Sequence, residues 1–141
     1  MKRNTIWTIV MLLTIVSAGI TGCKKNSPAD EENKAIQAIK QKVIGRWNLV
    51  EFIEETTKAG ETPKIINNDP KNVYFEFFAN DRGKTNAEGE EEFEYEIKAN
   101  SILLLWGYPN SIIELTANKL TFRNTASADG TTYTQTYYLT R

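Results

Sequence analysis

Six of the nine residues in EGEEEFEYE (Glu88–Glu96) are glutamates. Paired carboxylates can act as acid and base in glycoside hydrolysis, and clustered ones can hold calcium. Their spacing points elsewhere. Across EEFEYEIK (Glu91–Lys98) polar and apolar residues alternate, which predicts a strand with Phe93, Tyr95 and Ile97 inward and Glu92, Glu94, Glu96 and Lys98 outward. Carboxylates on an outward face read as a solvated surface. NNDPKN (Asn67–Asn72) offers oxygens for a loose calcium loop, and a plain Asx/Pro turn explains it equally well. The chain of 141 residues has no histidine. That removes Ser-His-Asp and Cys-His nucleophiles, imidazole acid–base chemistry and His/Cys metal sites. No glycine-rich phosphate loop occurs either. The expectation is a protein that is not an enzyme and needs no cofactor or metal.

The remaining reactive group is the thiol of Cys23, the only cysteine, so no intrachain disulfide can form. It follows a basic start (Lys2, Arg3), an apolar run (Ile6–Val16) and small residues (Ser17, Ala18, Gly19, Gly22). This is the layout of a secretory signal, and the run is short for a membrane span of ~20 residues. ITGC (Ile20–Cys23) resembles the lipobox of bacterial lipoproteins. The resemblance implies cleavage before Cys23 and acyl chains, of the palmitate class, on its thiol and new amino group. The membrane is then a partner through Cys23, since two or more acyl chains anchor stably where one does not. Lys24 stands where an Asp would favour inner-membrane retention in that family. The implied location is the cell envelope, at the outer membrane, on its periplasmic face or at the cell surface.

Removing residues 1–22 of 141 leaves 119, enough for one core. The net charge of −1 becomes −3 when Lys2 and Arg3 are lost, so no basic surplus marks a nucleic-acid partner. Residues 23–27 read as the lipidated Cys and a tether, and 28–141 as one domain.

That domain opens with a helix predicted over 28–44. Ser27 is its N-cap, Pro28 its first position, and Ile36, Ile39 and Val43 form an apolar stripe that ends at Gly45. The stripe suits the end of a core or a partner. Strand patterns follow at Arg46–Glu55, Asn72–Phe78, Glu91–Lys98, Ser101–Trp106, Ser111–Thr116, Lys119–Asn124 and Thr132–Arg141. Turn residues separate them, including NDRG at 80–83, GYPN at 107–110 and SADG at 127–130. Short strands at even spacing predict an all-β antiparallel meander, which loses its edges by closing into an up-and-down barrel.

Gly45-Arg46-Trp47 opens the first strand, and Arg141 ends the last. The pair resembles the lipocalins, where G-x-W begins the barrel and a distant Arg lies over the Trp. Gly45, Trp47 and Leu49, with Tyr137, Tyr138, Leu139 and Arg141, resemble the small lipocalin-like domains found behind lipoboxes in Bacteroidetes. The resemblance implies a barrel of about eight strands closed by Gly45, Trp47 and Arg141, and a small hydrophobic ligand inside. Phe75, Phe77, Phe93, Tyr95, Trp106, Phe122 and Tyr137 fall on faces expected to point inward. They either line that pocket or fill the core, because a barrel of eight strands is just wide enough for side chains or one small ligand. The other open reading is an interaction lipoprotein, its barrel packed, that uses the aromatic tip WGYP (Trp106–Pro109) against a protein or glycan.

Overall fold

A computed structural model describes residues 27–141. The leader, Cys23 and the tether up to Asn26 lie outside the described residues.

Helix α1 spans Pro28–Val43. Its start follows from local chemistry. The Ser27 hydroxyl accepts from the Asp30 amide at 3.2 Å, and the Asp30 carboxylate accepts from the Ser27 amide at 3.1 Å. This reciprocal box satisfies two of the orphan donors of the first turn. The helix ends one residue earlier than the sequence pattern predicts. Ile44 turns extended, and Gly45 already belongs to the sheet. Ile36, Ile39 and the fully buried Val43 face the barrel, so the stripe covers one end of the core.

Nine strands follow: β1 Gly45–Lys58, β2 Lys64–Asn68, β3 Tyr74–Phe77, β4 Arg82–Thr85, β5 Glu91–Lys98, β6 Ile102–Leu105, β7 Tyr108–Leu115, β8 Lys119–Ala128 and β9 Thr131–Thr140. Every pairing between named strands is antiparallel, and β9 returns to β1 along Asn48↔Thr140 to Lys58↔Thr131. The sheet is thereby a closed barrel of eight staves with one helix before it. The ninth strand is an extension. β3 pairs with Gly45–Asn48 and β2 with Phe52–Thr56, so the two lie end to end along one edge of β1. Asn67 and Asn68 of the candidate calcium loop end β2, and the rest of that loop links it to β3.

Four strands depart from the sequence expectation, among them β8, which runs past Asn124 to Ala128 and into the expected SADG turn. β2 (KIINN) has no alternating apolar face. β4 (RGKT) overlaps the segment read as a turn at 80–83 and is a strand because it lies between β3 and β5, with Gly83 opposite Phe93. β7 likewise begins inside GYPN, at Tyr108.

Inside, Trp47, Phe77, Leu103, Leu120 and Phe122 are fully enclosed. Phe77 meets Phe93 and Tyr95 edge-on at 5.6 and 5.1 Å, the geometry that aromatic quadrupoles favour. This packing lies toward the helix. At the far end β1, β8 and β9 run on past the start of β5 as a tall wall, their pairing continuing to Lys58, Ala128 and Thr131.

Candidate functional site

The helix end of the barrel is sealed. The Trp47 indole donates to the Val43 carbonyl at 2.7 Å. The Arg141 guanidinium lies 4.1 Å from the ring centroid, a cation–π contact. It also donates to the carbonyls of Ala117 and Ile44 at 2.8 Å and of Lys42 at 3.2 Å. Arg141 thus ties together the helix end, β1 and the β7–β8 turn. Gly45 is needed beside it. Its φ is +117°, and a Cβ there would come to 3.0 Å of the Arg141 guanidinium. Gly45, Trp47 and Arg141 sit together as one closure.

The opposite end is hollow. A cavity of about 490 Å³ opens between β5, β6, β7, β8 and β9, within the range of small-molecule sites. Phe75, Phe122 and Tyr137 form its floor: Phe122 stacks on Tyr137 at 4.7 Å, and Phe75 meets both edge-on at 6.0 and 6.2 Å. Trp106 and Tyr108 stand at the mouth on the β6–β7 turn. Leu105 pairs with Tyr108 across it, so Trp106 and Gly107 are its two central residues, both with positive φ (49° and 82°). That is the hairpin geometry matching strand twist. It is unusual for a bulky residue and swings the Trp106 ring over Phe93 at 4.9 Å.

Of the seven aromatics predicted to line a pocket, Phe75, Trp106, Phe122 and Tyr137 do so. Phe77, Phe93 and Tyr95 lie outside the lining, buried in the core. They are nearer the helix end, where neighbouring rings fill the space. The Tyr95 hydroxyl donates to the Phe78 carbonyl at 2.6 Å. Burial, and then the Asp81 carboxylate, push it up to about 12.

A second layer of the site is polar, and no apolar pattern in the sequence marks it. Extending each inward face by one pleat leads from Phe93 to Glu91, from Phe122 to Asn124, from Tyr137 to Gln135, and from Phe52 to Glu54. Glu91, Asn124 and Gln135, with Asn110 and Glu88, line the cavity above the aromatic floor. Glu54 lies opposite Gln135 and accepts from its amide at 3.4 Å. Burial raises the Tyr137 hydroxyl, and the carboxylates of Glu54 and Glu88 raise it further. The outward glutamates behave as expected of a solvated face. Glu92 pairs with Arg82 at 2.8 Å and Glu96 with Lys98 at 3.1 Å.

A more open depression beside β4–β6 is lined by Asp81, Arg82, Glu94, Tyr95 and Glu96, with Tyr95 as its one aromatic. Among the described residues no carboxylate is buried, no three acidic side chains converge on a metal position, and no helix is long and apolar enough to cross a membrane.

Comparison with known families gives one match. The model of a family described as a lipocalin-like domain matches residues 43–122, from the end of α1 into β8. No curated protein and no solved structure matches the chain.

Proposed function

The chain belongs to the lipocalin-like domain family, and from that premise we propose that it binds or carries a small hydrophobic molecule at the open end of its barrel. In this reading it is a non-enzymatic lipoprotein of the bacterial cell envelope, held at the outer membrane by acyl chains on Cys23. The carrying observation is the cavity of about 490 Å³ with its floor of Phe75, Phe122 and Tyr137. Rings already held by one another lose little entropy when a ligand covers them, so apolar burial there converts efficiently into affinity. Sealing one end leaves a single mouth for entry and exit.

Native mass spectrometry of the protein purified from cells, followed by solvent extraction, tests the carrier reading. The expected result is a discrete extractable adduct. A bare protein that also takes up no apolar dye would overturn it. The anchor is tested separately: Cys23→Ala should abolish acyl labelling and release the protein from membranes. A variant that still floats with membranes and carries label would refute the lipobox reading.

One observation favours a second reading. Tyr108 is 70% and Trp106 44% exposed, and an aromatic pair on a rigid turn can hold a protein or glycan surface. A bare barrel whose interactions with envelope components are lost in Tyr108→Ala would favour it.

A further inference from the structure

Resting on the carrier reading, the polar layer of the cavity says which hydrophobic molecules suit it. Its amide donors are partly engaged. Asn110 donates its side-chain amide to the carbonyls of Leu103 and Tyr108 at 3.3 and 3.0 Å. Asn124 donates to the Pro109 carbonyl at 2.8 Å, and Gln135 to Glu54 at 3.4 Å. Asn110 thus has both amide hydrogens in use, Asn124 and Gln135 have one each in use, and the Gln135 oxygen accepts from the Tyr137 hydroxyl at 3.5 Å, so the amides by themselves favour neither a donor nor an acceptor head.

The charges decide the preference, and they are of one sign. Glu88 and Glu91 line the cavity, and no lysine or arginine does. Their neighbours in the run are paired, Glu90 with Lys84 at 3.0 Å and Glu92 with Arg82 at 2.8 Å. Glu88 and Glu91 have no basic partner among the described residues. A third carboxylate, Glu54, stands behind Gln135. The aromatic rings of Trp106 and Tyr108 at the mouth present faces that attract cations. A fatty-acid carboxylate entering this mouth would meet carboxylates without a basic partner among the described residues.

We infer that the cavity selects amphiphiles with a cationic, ammonium-type head, seating the apolar body on Phe75, Phe122 and Tyr137 and the head between Glu88, Glu91 and the mouth aromatics.

The test compares decylammonium, decanol and decanoate, each below its micelle concentration, by titration calorimetry at low salt. The expected order is ammonium, then alcohol, then carboxylate, with about tenfold between the first and last, shrinking as salt screens the exposed glutamates. The double variant Glu88→Gln/Glu91→Gln should erase most of that preference and still bind decanol. The control Glu31→Gln/Glu32→Gln, on the helix, removes the same charge and should keep it. Equal binding of all three probes, or tighter decanoate, would overturn the charge selectivity and leave the carrier reading standing. A preference that survives in the cavity variant would assign it to net charge and likewise overturn the inference. Binding of none of the three, with no extractable adduct, would instead sink the carrier reading itself.

Discussion

Trp47 shows how much one position can carry. Its ring is fully enclosed, its indole N–H caps the last turn of α1, and its face receives Arg141. Trp47→Ala would leave a cavity at the sealed end and an unpaired helix carbonyl. We expect a loss of about 3–5 kcal/mol, read by urea denaturation; a loss below about 0.5 kcal/mol would refute its place in the closure. This feature was legible in the sequence because its parts have distinctive types: a glycine where φ must be positive, an indole two residues on, and an arginine at the last strand. The residues at the other end were not legible. Glu91, Asn124 and Gln135 point inward, yet a search for inward faces by hydrophobicity stops where those faces become polar.

Among the elements, β5 was the plainest to read, and the β8–β9 hairpin was legible at its turn but not in its length, since β8 runs to Ala128 where its apolar pattern ends at Asn124. EEFEYEIK alternates without interruption, and Asp129-Gly130, both with positive φ, makes the two-residue turn that its sequence favours. β4 was illegible for the opposite reason. RGKT has no apolar residue, and its strand conformation comes from the neighbours that pair with it. Gly83 is its key position. A Cβ there would meet the Phe93 ring and come to 2.6 Å of the Glu76 carbonyl. Gly83→Ala should therefore push Phe93 off the strand and cost about 1–3 kcal/mol. Thermal unfolding checks this, and an unchanged midpoint would mean that β4 and β5 are not in this register. β2 was missed because Ile65 and Ile66 are both exposed, leaving no face for a pattern to mark.

At the scale of the whole molecule, family and closure agree with what even strand spacing implied, and the interior divides between two expectations. The helix end is packed with rings, and the far end is open. Buried tyrosine hydroxyls in both parts set a limit in alkali. Tyr95 is pushed up to about 12 from the ordinary 10, and Tyr137 is raised as well. Between those values the folded chain keeps protons that the unfolded chain has released. Stability should be whole below about pH 10 and fall as pH rises toward 12. Circular-dichroism melts from pH 9 to 12 read this slope, and Tyr95→Phe should flatten it. An equally steep decline in the variant would place the alkaline weakness elsewhere.

The seam between β1 and β9 joins the first strand of the barrel to the last, with Asn48 opposite Thr140. Every other pairing between barrel strands joins strands close in sequence. This one must wait for the final ten-residue stave. Until it arrives, β1 exposes a long unpaired edge, open to a strand from any other chain. We therefore expect closure to be the slowest folding step and the one most sensitive to protein concentration. Arg141, directly after that stave, fastens onto the Trp47 lid as soon as the seam is made. The same contact that seals the finished barrel thus marks the end of its vulnerable period.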